Sequence, residues 1–425
     1  MSTNPLLALP RHHRAGTPSG ITSICSAHPV VIRAALELGR DLAQPVLIEA
    51  TCNQVNQDGG YTGMTPADFR RYVEGIADAC GFDRHHLILG GDHLGPNPWK
   101  HLPAEEAMAK AQAMVAGYAA AGFEKIHLDC SMGCAGDPIA LDDATTAKRA
   151  AQLAAVTETQ SAVPPIYVIG TEVPVPGGAL EEVAALEVTS PDAARTTFEV
   201  HKRVFAAHGL QAAFERVIGL VVQPGVEFGN QNVVAYAPAA AQALSQSLHQ
   251  LPNLVFEAHS TDYQTPEALR ALVQDGFAIL KAGPGLTFAL REALYGLDMI
   301  AAIRDNAAPT LRPAMEALMT QEPYHWAKYY PGTSDEQRIQ RHYSYSDRIR
   351  YYWTHPAAQA AVADLMAKLG DTPLPETLIS QHLATAWPEV MSGTTRPTAP
   401  ALLRAAVRRV LQNYAAACAP GDRTN

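Results

Sequence analysis

The sequence predicts an α/β chain built as a (β/α)8 TIM barrel with a C-terminal helical extension, and three observations predict it. Short β-branched apolar runs alternate with longer Ala-rich segments from residue 20 to about 304, eight times over. Each apolar run delivers a polar residue at or near its C-terminal end, which in a barrel gathers eight polar groups on the face where such folds build active sites. The GxGxxG that an open dinucleotide-binding sheet needs after its first strand is absent.

In chain order the expected strands are ITSICS (21–26), VLIEAT (46–51), LILGGD (87–92), KIHLDCS (125–131), IYVIGTE (166–172), VIGLVVQ (217–223), LVFEAH (254–259) and AILKA (278–282). Helices are expected near 30–43, 65–80, 104–121, 142–159, 190–208, 236–249, 265–275 and 287–304. Thr65-Pro66, Ser190-Pro191 and Thr265-Pro266 each put a hydroxyl at the N-cap and a proline at the first helical position. Residues 1–19 form an N-terminal arm, 20–304 the barrel and 305–425 the helical extension. Within the extension, residues 324–353 are dense in Tyr, Trp and Arg, which suits a cap over the barrel mouth or an interface, or ordinary packing on the outer helices.

The chain of 425 residues is 47% hydrophobic and 17% charged, ample for a large core, and its formal charge of −10 with no basic run argues against nucleic acid or an anionic membrane as partner. Small anionic substrates remain compatible with it. No apolar run approaches the roughly 20 residues of a membrane span. The six scattered cysteines, with only Cys130 and Cys134 close, suit reduced thiols and a cytoplasmic location. A homo-oligomer is expected.

Two histidines at strand ends, His93 and His259, can share a divalent metal ion (Zn, Mn or Co) on one rim. The third ligand is sought among Glu172, Gln223 and Glu227, a carboxylate being the better donor. Asp92, beside His93, is suited to moving a proton of a bound substrate hydroxyl, with Glu172 and Asp129 as further catalytic carboxylates. The loop 169–182, with Glu172 and Gly177-Gly178, can fold over a substrate or simply connect. Lys281, Gly283 and Gly285 precede a helix after the eighth strand and, with Ser260 and Thr261 after the seventh, form a candidate phosphate site. Asn53 and Ser131 complete the substrate-facing set.

The strings EATCNQVNQDGGYTGMTP, ILGGDHLGPNPW, KIHLDCSM, GTEVPVPGG, LVVQPGVEFGN, FEAHSTDYQ, ILKAGPGLTFALREALY and YSYSDRIRYYW span nearly the whole chain. On them the chain resembles the GatZ/KbaZ family, the second component of class II tagatose-1,6-bisphosphate aldolase, and more distantly the class II ketose-bisphosphate aldolases. The resemblance implies that Asp92-His93 is an acid/base and metal-ligand pair, that His259 is the last metal histidine, and that Glu172 with Gly177 and Gly178 belongs to a mobile loop. It also implies a departure: at strand six the aldolases carry a histidine ligand, and this chain has Gln223-Pro224-Gly225-Val226-Glu227.

Two functions follow as expectations. The chain is either a subunit acting with a class II aldolase catalytic chain of the GatY/KbaY type on a ketohexose bisphosphate, or an autonomous metal enzyme that cleaves or epimerises ketohexoses or their phosphates at C4. A sugar kinase is excluded by the lack of a Walker A motif or kinase-type glycine loop.

Overall fold

A computed structural model describes residues 4–138, 141–170, 186–251 and 253–420. Eight parallel strands close into a barrel: β1 (Ile21–Ile24), β2 (Val46–Thr51), β3 (Leu87–Leu94), β4 (Lys125–Leu128), β5 (Ile166–Ile169), β6 (Val217–Val221), β7 (Val255–Ala258) and β8 (Phe277–Ala282). Each pairs with its sequence neighbours, and β8 returns to β1 through Ile21↔Ile279 and Ser23↔Lys281. All eight expected strands are therefore present. The first, fourth, fifth and sixth end two or three residues earlier than expected, and the third runs two further, because the chain leaves the sheet where its polar residues turn into the mouth.

The interior is layered, because side chains alternate along a strand. The lower layer is apolar, with Leu47, Ile88, Ile166, Val255 and Ile279 buried together. Leu6 and Leu9 of the N-terminal arm join the same cluster and cover the bottom of the barrel. One step higher the same faces carry Glu49, Lys125, Glu257 and Lys281, in register through Glu49↔Gly90 and Gly90↔Lys125. Gly90 sits where a Cβ would lie 2.7 Å from Glu49 Oε1, so a side chain there would evict the carboxylate.

The barrel helices begin as the N-cap signals require. Thr65 caps Pro66–Cys80 with a full capping box, Ser190 caps Pro191–Ala207 and Thr265 caps Pro266–Gln274. The helix after β8 spans Pro284–Asp305, so it starts three residues before the expected position. Beyond it the chain is helical, as expected. Its last helix, Ala399–Cys418, lies against the helix Pro29–Leu42, tied by Arg408–Asp41 at 2.8 Å and Arg404–Glu37 at 3.3 Å, and Cys418 O accepts from Gly20 N at 2.9 Å. All six cysteines are free, and no helix among the described residues is long and apolar enough to cross a membrane.

Candidate active site

Alternation sends Asp92 into the barrel and would send its neighbour His93 outward. His93 instead has φ +49°, a left-handed conformation that costs a non-glycine residue on the order of 1 kcal/mol. The backbone turn brings acid and imidazole to the same cavity. His93 Nδ1 donates to Asp129 Oδ2 at 2.8 Å, and its Nε2 lies 3.7 Å from Asp92 Oδ2.

Three imidazoles meet here. The His93 ring centroid lies 4.8 Å from that of His259 and 5.0 Å from that of His127, which is 5.5 Å from His259. His127, from β4, donates from Nε2 to the Gly170 carbonyl at 2.9 Å, while its Nδ1 lies 2.9 Å from Asp92 Oδ1 and 3.2 Å from the His93 backbone nitrogen. Both its nitrogens are thereby engaged. His259 Nε2 lies 2.9 Å from Glu257 Oε1. Burial lowers His259 to about 4, keeping the ring neutral and able to ligate. For His93 burial pushes in the same direction, but the Asp92 and Asp129 carboxylates outweigh it and raise the ring above its usual value.

Beneath the histidines lies a buried ionic layer. Lys125 Nζ bridges Glu49 Oε1 at 2.6 Å and Glu257 Oε2 at 2.7 Å, while Lys281 Nζ contacts Glu49 Oε2 and lies 2.8 Å from Asp92 Oδ1. Burial alone would raise these carboxylates, yet the charges around them win: His93, then Lys281 and His127, hold Asp92 well below the usual range, and Lys125 and Lys281 do the same for Glu257. Asp92 is therefore ionised at any physiological pH. Asp129, likewise against burial, is held at about 2 by the bond from His93.

The donor chemistry fits a divalent cation. Asp92, His127, Glu257 and His259 each bring a ligand atom into a group whose atoms all lie within 4.8 Å of one another, with the His93 ring alongside. Cys25, Glu49 and Asp92 form a second such group, but there the Lys281 ammonium already bonds both carboxylates and fills the place of a cation.

The structure distributes the remaining candidates unevenly. Asn53, Asp129, Ser260, Lys281 and Gly283 line the cavity together with Asp92, His93 and His259. Ser131 supports from behind, donating to Asp129 Oδ1 at 3.1 Å. Thr261 donates to the Lys281 carbonyl at 2.6 Å and meets the Tyr414 hydroxyl at 3.1 Å, so it ties the rim to the last helix rather than facing the cavity. The backbone N–H groups of Gly283 and Gly285 both donate to Asp262 Oδ1, at 3.0 and 2.8 Å, so the expected phosphate donors are already engaged by a carboxylate. Gln223 Oε1 accepts from Gly225 and Val226 N–H at 2.8 and 2.9 Å, which commits its amide oxygen to its own turn. Glu227 is buried, accepts from Phe228 N–H at 2.9 Å, and is pushed by burial to about 7; the group that gathers at the histidines does not include it. Glu172 and the Gly177-Gly178 pair lie outside the described residues.

Sequence reasoning missed His127, Glu257 and Lys125. The signal was there: Lys125, His127 and Asp129 share one face of a strand, as do Glu257 and His259, and charge at successive inward positions of an apolar strand is costly unless paired. It also left open which part of residues 324–353 reaches the mouth. Arg350 and Tyr351 line the cavity, with Tyr351 edge-on to Tyr61 at 5.2 Å between ring centroids.

A protein of Agrobacterium fabrum strain C58 called D-tagatose 6-phosphate 4-epimerase is 56% identical over 414 residues, covering 96% of this chain and 97% of that one. The crystal structure of a probable tagatose 6 phosphate kinase from Sinorhizobium meliloti 1021 matches with a TM-score of 0.89 at 62% identity, over 94% of this chain and 100% of that one. The family model described as D-tagatose-1,6-bisphosphate aldolase subunit GatZ/KbaZ-like matches residues 6–419, and the chain belongs to that family.

Proposed function

We propose that this chain is a metal-dependent ketohexose-phosphate 4-epimerase acting by retro-aldol cleavage and re-addition, with tagatose 6-phosphate as substrate. The observation that carries it is the His93–His259 pair, 4.8 Å apart by ring centroids, each ring backed by a carboxylate, Asp129 and Glu257. Ligating histidines usually donate their second nitrogen to such a carboxylate. His93 Nε2 and His259 Nδ1 would hold the ion, with Asp92 beside them, while His127 positions Asp92 and the His93 backbone. A bound divalent ion supplies a Lewis acid for the ketose C2 carbonyl.

Asp92 is ionised and takes the proton of the C4 hydroxyl. The C3–C4 bond then breaks, its electron pair forming the C2=C3 double bond as the C2 carbonyl pair moves onto O2 to leave an enediolate, and C4 becomes the aldehyde of glyceraldehyde 3-phosphate. Rotation of that aldehyde by half a turn, re-formation of the bond and return of the proton from Asp92 to the C4 oxygen give the C4 epimer. Lys281, 2.8 Å from Asp92, keeps the carboxylate anionic between turnovers. The name borne by the Agrobacterium relative supports this substrate, and the lack of a triphosphate-binding loop in the sequence weighs against a kinase.

The family description favours a second reading, a subunit that works only with a class II aldolase catalytic chain. Incubating the purified chain, loaded with Zn, Mn or Co, on tagatose 6-phosphate separates the two. Fructose 6-phosphate formed by the chain alone, and lost in His93→Ala, supports the epimerase. No product until the aldolase chain is added supports the subunit.

A further inference from the structure

The usual phosphate site of this barrel is the turn between β8 and its helix, where backbone N–H groups and the helix N-terminus face an anion. In this chain that place is taken. Asp262 Oδ1 accepts from both Gly283 and Gly285, and a Cβ on Gly285 would lie 2.9 Å from it, so the carboxylate is packed against the turn. A phosphate brought there would meet a carboxylate instead of donors.

The cavity has a cation elsewhere on its rim. Arg350 reaches it from the C-terminal extension, its guanidinium held by the carbonyls of Ser346 and Asp347 and by the Tyr351 hydroxyl at 2.9 Å. Asp347, the carboxylate nearest in sequence, is spent on Thr287 at 2.7 Å and on Arg291 at 3.0 Å. Arg350 forms no ion pair among the described residues, and neither does Arg348, which stacks on Tyr329 with its charge 5.1 Å from the Tyr351 ring. Lys281, the other cation at the cavity, is neutralised by Glu49 and Asp92. Arg350 is thus the cation that lines the cavity without an ion pair of its own; the cavity carboxylate that feels its charge, Asp262, is already bonded to the Gly283 and Gly285 N–H groups, and Arg348 is not part of the lining. Against burial, these two guanidiniums pull the Tyr351 hydroxyl below its usual value, as a local potential that favours anions requires.

We propose that the cavity admits one phosphate and not two: Arg350, with Tyr351, receives the phosphate of a sugar monophosphate, and Asp262 bars a second phosphate from the Gly283–Gly285 turn. The choice of a sugar as the ligand rests on the epimerase reading; the placement of its phosphate does not.

Binding, read by calorimetry on the chelated chain so that no turnover occurs, tests this with fructose, fructose 6-phosphate, fructose 1,6-bisphosphate and inorganic phosphate. The wild type should bind the 6-phosphate more tightly than either fructose or the bisphosphate, and inorganic phosphate should compete. Arg350→Met should weaken the 6-phosphate by about 30-fold or more, the loss expected when a charged pair is removed, and should leave fructose within about two-fold. Arg350→Lys should fall between. Asp262→Ala should strengthen the bisphosphate with little effect on the 6-phosphate. Equal binding of mono- and bisphosphate by the wild type, or an Arg350→Met loss shared by fructose, would overturn the proposal even if epimerase turnover is found. The expected pattern in a chain without turnover would uphold it while the epimerase reading failed.

Discussion

Asp129 fixes the ring of His93: its Oδ2 accepts from Nδ1 at 2.8 Å, leaving Nε2 as the nitrogen that faces the cavity and Asp92. Asp129→Asn keeps the shape but can present an amide N–H to Nδ1, which favours the wrong tautomer. Metal affinity is expected to fall 10- to 100-fold, the usual loss when a carboxylate behind a ligating histidine is removed. Competition with a chromogenic chelator measures it. An unchanged dissociation constant would show that the bond does not orient a ligand.

Removing the metal should abolish turnover without unfolding the barrel, because the core and the ionic layer below the histidines are complete without it. Dialysis against a chelator should leave the far-ultraviolet circular dichroism unchanged and reduce epimerisation to background, and one of Zn, Mn or Co should restore it. His259→Ala should not regain activity with any of the three. Full activity in the chelated chain would rule out the metal mechanism.

Lys125 is fully buried between Glu49 and Glu257, 2.6 and 2.7 Å from their oxygens. Its replacement by methionine leaves two buried carboxylates with only Lys281 nearby, a situation that typically costs about 3–5 kcal/mol. Urea unfolding should show a loss of that order. The double variant Lys125→Met/Glu257→Gln should recover part of it, since one orphaned charge goes with the cation. No recovery would mean that the lysine acts through packing of its stem rather than by charge.

The barrel was legible because short β-branched apolar runs and N-cap signals report local backbone preference, and eight such runs alternating with helical segments leave few topologies. Asp92, His93 and His259 were legible as strand-end groups. Which atoms meet across the barrel was not, since the sequence does not state the register: His127 joins the histidines only because β3 and β4 are staggered so that Gly90 faces Lys125. The anion site misled for a related reason. Gly283 and Gly285 do expose their N–H groups at a helix start, but three residues past His259 a carboxylate folds back onto them, a contact that spans more than twenty residues of chain.

Glu227 offers a test that depends on pH. Burial raises its carboxyl to about 7 from an ordinary 4.5, even though the Phe228 N–H and the Ser260 hydroxyl favour the ionised form. An acid raised in the folded state is protonated there when the unfolded chain has already lost its proton. Its stabilising effect is therefore fully present below about 4.5 and is lost as pH rises through 7. The difference amounts to roughly 3 kcal/mol, at 1.36 kcal/mol per pH unit. Glu227→Gln stays neutral throughout, and its amide oxygen can still accept from Phe228. In the presence of chelator, so that no metal contributes, the variant should gain stability relative to the wild type between pH 5 and pH 8, by on the order of 2–3 kcal/mol in urea unfolding. A stability difference that is the same at both pH values would place the Glu227 carboxyl in contact with solvent or with a cation, and not in the buried position from which its raised value arises.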